Sequence, residues 1–209
     1  MLDTPAIYVR CLASEARGSH HGAWLTLGQA PCPQTTLKRL RAAIDDLIAG
    51  SPTPGADEWD IIDFECFGTL TFDRFVDLET LAYTGWLIHH YCPDATSALY
   101  TYANGELARV HALLNEESYL GCFSDLKEIG EYLIDSFDIE SWLLPYIDYA
   151  SYARDTLFGG EHYATVSSPD GLHLIVRNDL GRRFLSPFES NAREIVRPAS
   201  YKRARAIET

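Results

Sequence analysis

The sequence lacks long hydrophobic runs. No apolar, uncharged window of about 18 residues occurs, which excludes a membrane-spanning helix. The opening Met1-Leu2-Asp3-Thr4-Pro5 has no basic stretch followed by an apolar one, so no secretion signal is read and a cytoplasmic location is expected. Cysteine is sparse. Cys11, Cys32, Cys66, Cys92 and Cys122 are odd in number, far apart and without a Cys-x-x-Cys pair, which argues against a disulfide framework and fits a reducing compartment. The phosphate-cradling Gly-x-x-x-x-Gly-Lys-Ser/Thr loop, the Gly-x-Ser-x-Gly elbow and the Gly-x-Gly-x-x-Gly turn are all missing. There is no internal repeat or low-complexity segment. Positive charge is scarcest in the middle: between Asp57 and Asp155 only Arg74, Arg109, Lys127 and Arg154 occur.

That same stretch holds twenty of the chain's thirty acidic residues, a net charge of −16. The flanks are opposite in sign, +1 over residues 1–56 and +2 over residues 156–209, which brings the whole chain to −13. The acidity is therefore one block, not a uniform coat. The block is also rich in Phe, Tyr, Leu and Ile. It is expected to fold and carry its carboxylates on a surface, unlike a disordered acidic tail. Such a surface repels phosphates, so nucleic acid is not an expected ligand of the middle of the chain. The complementary partner is a basic protein, including one that itself binds DNA. Duplex DNA carries about one charge per 1.7 Å of axis, so sixteen net charges correspond to roughly 27 Å of duplex and those of a dimer to roughly 54 Å.

Periodicity predicts an α+β chain of three small units. Residues 1–66 read as strand, strand, helix, strand: Ala6–Leu12, Gly22–Leu27, a helix from Thr35 or Thr36 to about Ile48, and Trp59–Glu65. Ser14–Ser19 reads as a polar loop, and Pro31 and Pro33 as breaks. Residues 67–117 read as helical, beginning at Phe72 with Phe75, Leu78, Leu81 and Ala82 on one face, then broken at Pro93 and at the Asn104-Gly105 turn. Residues 118–180 form a second α+β unit. Tyr119–Phe123 is a short apolar link, and Ser124 caps a helix with Asp125 in its first turn. Ser168-Pro169-Asp170-Gly171 joins two strands. Residues 181–209 form a basic tail, net +4, expected to be weakly ordered. Asp125, Glu128, Glu131 and Asp135 recur every three or four residues and make a charged stripe on one helix face. Such like-charge neighbours cost a few tenths of a kcal/mol per pair, so a sequence that keeps them has a use for them.

Three enzymatic readings are weak. His89-His90 with Cys92, or His20-His21, supply metal-binding atoms, but adjacent histidines on a helix diverge and no second ligand pair stands at zinc-like spacing. Cys122 with His111, His162 or His173 makes a nucleophilic dyad only on paper, and a small buried cysteine is the simpler reading. Among thirty acids some pair always stands at a catalytic-looking separation, so a carboxylate-pair hydrolase has no specific support. No cofactor or metal is expected. Tyr132, Phe137, Trp142, Tyr146, Tyr149 and Tyr152 are read as core aromatics, since base stacking is opposed by the local charge.

Thr4-Pro5-Ala6-Ile7-Tyr8-Val9, Gly22-Ala23-Trp24-Leu25, Glu58-Trp59 and Asp63-Phe64-Glu65 are followed by Leu114-Asn115-Glu116-Glu117-Ser118-Tyr119-Leu120-Gly121-Cys122-Phe123-Ser124-Asp125-Leu126. Tyr146-Ile147-Asp148-Tyr149 and Tyr152-Ala153-Arg154-Asp155 come next. In this order, across about residues 4–178, the chain resembles the ArdA family of antirestriction proteins, the longest run being similar to the family's antirestriction motif. The resemblance implies an elongated three-domain homodimer that imitates bent B-form DNA. It would occupy the DNA-binding channel of a Type I restriction–modification enzyme and so shield mobile DNA, without catalysis or cofactor. The phosphate stand-ins would be Asp73, Asp77, Glu79, Glu116, Glu117, Asp125, Glu128, Glu131, Asp135, Asp138, Glu140, Asp148 and Asp155. In the motif, Leu114, Tyr119, Gly121, Cys122, Phe123 and Leu126 would be packing residues. The alternative is an acidic module for another basic DNA-handling partner, such as a different phage-defence methyltransferase. The tail after Gly181 is longer than the family pattern suggests.

Overall fold

A computed structural model describes residues 4–177 apart from 74, 136, 160 and 161; the basic tail lies outside the described residues. The described chain is mixed α+β, with seven α-helices and two three-stranded antiparallel sheets. Its contacts fall into two compact units that divide after Ser97.

The first unit contains β1 (Ala6–Cys11), α1 (Leu12–Glu15), β2 (Gly22–Thr26), α2 (Pro33–Ala49), β3 (Trp59–Glu65), α3 (Leu78–His90) and the start of α4 (Pro93–Tyr102). The sheet order is β2-β1-β3. Ile7 and Val9 project from the central strand into a core with Ile61, with Leu37, Leu40 and Ile44 of α2, and with Leu81, Ala82 and Ile88 of α3. Alternation on the strands and three- and four-residue spacing on α2 create these faces. The β1–β3 register shifts at Tyr8/Val9, where Asp63 and Ile61 are the successive partners. This bulge leaves Ile62 outward and exposed.

Three expectations are corrected here. Ser14 belongs to the short α1, not to a loop. Its buried hydroxyl contacts the hydroxyls of Ser51 (2.8 Å) and Thr53 (3.1 Å). Helix α2 starts at Pro33, ahead of the two threonines, because proline fits the first helical position, where its missing N–H leaves nothing unsatisfied. The helix expected from Phe72 starts only at Leu78. Asp73 takes the Phe75 N–H (2.8 Å), and this local bond competes with the helical pattern. Phe72 still packs, against Phe67 (5.2 Å) and Phe64 (5.7 Å), while Phe75 points to solvent.

The second unit holds the rest of α4, then α5 (Leu107–Asn115), β4 (Tyr119–Phe123), α6 (Leu126–Ile134), a 3-10 turn (Leu144–Tyr146), α7 (Tyr149–Gly159), β5 (Tyr163–Ser168) and β6 (Gly171–Val176). Tyr119–Phe123 is thus a strand, not a link. It pairs with β6 in a sheet of order β4-β6-β5, with Phe123 opposite Leu172 and Cys122 opposite His173. Its partner lies some fifty residues downstream, and Gly121 interrupts its alternation, so local pattern could not reveal it. The β5–β6 hairpin forms at Ser168–Gly171 as the turn chemistry predicts. Phe123, Ile129, Leu133, Ala153 and Leu174 make the core of this sheet and the α6–α7 pair.

The two helices of that pair touch backbone to backbone. A Cβ placed on Gly130 would collide with the Tyr149 carbonyl, whereas one on Gly159 meets nothing within 4 Å. Gly130→Ala is therefore expected to destabilise the protein by ~3 kcal/mol or more, and Gly159→Ala to be neutral or to gain ~0.5 kcal/mol. Denaturant midpoints of the two variants check this, and equal midpoints would contradict the packing.

Candidate functional site

Three helices of the acidic block begin on an aspartate. Asp77 accepts the Thr80 N–H (2.8 Å) and hydroxyl (2.7 Å) at the start of α3. Asp125 accepts the Glu128 N–H (2.9 Å) at the start of α6. Asp148 accepts the Ser151 N–H (3.0 Å) and hydroxyl (2.8 Å) ahead of α7. Each satisfies an orphan donor of the first turn and places an anion at the positive end of a helix dipole. The residue capping α6 is thus Asp125 and not Ser124. Ser124 donates its N–H (2.6 Å) and hydroxyl (2.9 Å) to the returning Glu128 carboxylate, one residue ahead of where a capping box makes this contact. The shared spacing Asp-x-x-Thr, Asp-x-x-Glu and Asp-x-x-Ser was the available sequence signal for these caps.

This changes the meaning of the stripe on α6. Asp125 and Glu128 hold the helix start, and Glu131 pairs with Lys127 at 3.4 Å. Asp135 sits exposed at the opposite end, where the dipole is unfavourable for a carboxylate. The remaining acids are also outward. Asp73, Glu79, Glu116, Glu117, Asp138, Glu140 and Asp155 are exposed, as are Asp77 and Asp148; of the thirteen, only Glu128 is half-buried. Glu79 meets Arg41 at 3.4 Å, a solvent-exposed pair of small energetic value. Four basic side chains cannot neutralise twenty carboxylates, so the block keeps its field.

Glu117 is the strained member. It follows α5 with φ +52°, the left-handed conformation that glycine favours. The Ser118 N–H reaches the Leu113 carbonyl (2.9 Å) and the Glu117 N–H the Leu114 carbonyl (3.2 Å). This is a Schellman end with glutamate in the glycine position.

The other motif residues pack or pair within the fold. Leu114 and Phe123 are buried, Gly121 sits at φ +151° beside the β4–β6 register shift, and Leu126 packs against the second core. The Cys122 thiol faces the Asp170 carbonyl at 3.6 Å. Opposite it, His173 is buried with both ring nitrogens engaged, Nδ1 by the Tyr119 hydroxyl (3.0 Å) and Nε2 by the Ser168 hydroxyl (2.8 Å). That network, which local sequence did not reveal, leaves His173 committed to the sheet and not to a thiol. The His90 ring stacks on Trp86 at 4.3 Å and donates Nδ1–H to the Trp86 carbonyl (2.8 Å). Among the described residues no three His, Cys, Asp or Glu side chains gather as a metal site. The aromatics expected in the core divide: Tyr149 and Tyr152 are half-buried, but Tyr132, Phe137, Trp142 and Tyr146 are exposed.

The family model for antirestriction protein (ArdA) matches residues 7–168, a span that includes all thirteen acids. The chain belongs to the ArdA family. Membership implies an antirestriction role, that of an inhibitor acting on restriction–modification enzymes and not of an enzyme. Comparison with curated proteins returned no match. No described helix is long and apolar enough to cross a membrane.

Asp77 and Asp148 stay ionised at neutral pH. Hydrogen bonds from the Ser151 N–H and hydroxyl hold the Asp148 carboxyl below its usual range, with Arg154 assisting. At Asp77 burial pushes upward, but the Thr80 N–H and hydroxyl outweigh it and the carboxyl is again lowered. A lowered carboxyl stabilises the fold above the ordinary value of 3.8, and that contribution is lost as pH falls through the lowered value. Asp77→Asn and Asp148→Asn should each flatten the acid-denaturation limb below about pH 4, with little change at pH 7, because asparagine also caps. Glu117→Gly should raise stability by ~0.5–1 kcal/mol in denaturant titration, whereas loss of stability would contradict the left-handed assignment.

Proposed function

We propose that this protein inhibits a Type I restriction–modification enzyme by presenting carboxylates where DNA presents phosphates, and so occupies the enzyme's DNA-binding channel. The observation that carries this reading is the outward display of twelve of the thirteen block acids on folded, capped elements. A disordered acidic tail would lose affinity to ordering on binding; carboxylates fixed on helix ends and turns lose less. The proposal includes an elongated overall form, with α3 kept in the first compact unit as its core contacts require. It also includes a homodimer that lengthens the charge track, and action in the cytoplasm on incoming mobile DNA.

The test is a competition titration. A fluorescent duplex is bound to a Type I methyltransferase core, and the protein is added at low and moderate salt. Displacement near stoichiometric amounts at low salt, weakening as salt rises, is the expected result. The triple variant Asp77→Asn, Asp125→Asn, Asp148→Asn keeps its caps and loses three charges. It should displace the duplex roughly tenfold less well at low salt. Folded protein that leaves the duplex bound would overturn the reading and point to a different basic partner.

A further inference from the structure

Between Lys127 and Arg154 the chain has six acidic residues and no Lys, Arg or His. Within this span, the α6–α7 connection from Phe137 to Asp148 carries large apolar side chains outward. Phe137 is 57% exposed, Trp142 66% and Tyr146 82%, with Leu143 and Leu144 beside them. Exposed aromatics in this number are not needed to close the core beneath, which Ile129, Leu133 and Ala153 complete.

The connection is also built, not slack. The Leu143 N–H reaches the Glu140 carbonyl (2.8 Å) and the Tyr146 N–H the Leu143 carbonyl (2.9 Å). The Tyr149 hydroxyl donates to the Leu144 carbonyl (3.3 Å). A long connection with its own turn structure and displayed aromatics has the anatomy of a binding loop. Trp and Tyr held in place lose little conformational entropy on docking, and they are the residues that dominate interface hot spots.

Charge selects the occupant. Asp138, Glu140 and Asp148 lie within the loop itself. A second copy docking loop to loop would oppose acid with acid, as would DNA or an anionic membrane. The complementary surface is a basic protein face that also offers apolar ground, with arginine suited to both the carboxylates and the aromatic faces.

We infer that Phe137–Asp148 is an apolar anchor by which the inhibitor grips its basic enzyme target, adding to the phosphate-like charges a contact that DNA has no means to make. This inference rests on the proposed function and deepens it. Charge contacts are screened by salt and apolar contacts are not, so the anchor supplies the salt-resistant part of the affinity.

The experiment is the same competition assay with Trp142→Ala/Tyr146→Ala, run at low salt and at about 0.3 M salt. Circular dichroism and thermal melting confirm the fold, and sedimentation reports the oligomeric state. The double variant keeps every charge. It is expected to displace DNA at least about tenfold less well than the parent at both salts, with the parent's dependence on salt unchanged, because the lost contact is not screened. Equal displacement at both salts would overturn the anchor while leaving charge mimicry standing. Conversion of a parent dimer to monomer by the double variant would assign the loop to self-association and overturn it as well. Failure of the parent itself to displace DNA at low salt would overturn both readings.

Discussion

Repulsion among like charges is the constraint around which this protein is organised. Ninety-nine consecutive residues carry twenty carboxylates against four basic groups, and they must still fold. Ion pairing cannot resolve this with so few cations. The structure instead gives some carboxylates backbone partners. Asp77, Asp125 and Asp148 take first-turn N–H groups, and Glu128 takes two donors from Ser124. These acids stabilise helices, and all but the half-buried Glu128 face solvent. Beneath them, apolar cores supply the burial that holds the surface together.

Much of the fold was legible because its signals were local. The alternation in β1 and β3, the spaced leucines and isoleucines of α2, and the Pro-Asp-Gly turn before β6 each specify their element within a short window. What was illegible depended on a distant partner or on competition. Strand β4 exists because β6 pairs with it, and Gly121 hides its alternation. The start of α3 was misplaced because Phe72 and Phe75 continue a helical spacing that the turn bond at Asp73 interrupts. At the candidate surface, the location of the acids was readable, but their division of labour was not. Only the hydrogen bonds separate the caps from Asp138, Glu140 and Asp155, and only the structure puts Trp142 and Tyr146 outside the core.

The antirestriction motif shows how structural and functional demands interleave in one stretch. Leu114 and Phe123 are buried, and Tyr119 holds His173 across the sheet. Between them, Glu116 and Glu117 stand exposed at the end of α5, the latter in a conformation better suited to glycine. A glutamate retained against its backbone preference is what a surface selected for charge would contain. The same logic separates the two contributions proposed for binding. Distributed carboxylates set the long-range attraction and its salt dependence, and a compact aromatic loop sets what survives screening.

The most direct measurement of the central claim is the structure of this protein bound to a Type I methyltransferase core. The account predicts that the exposed acids of the block face the lysines and arginines that otherwise hold DNA phosphates, with the channel filled. A complex in which the protein docks elsewhere and leaves that channel open to DNA would contradict it.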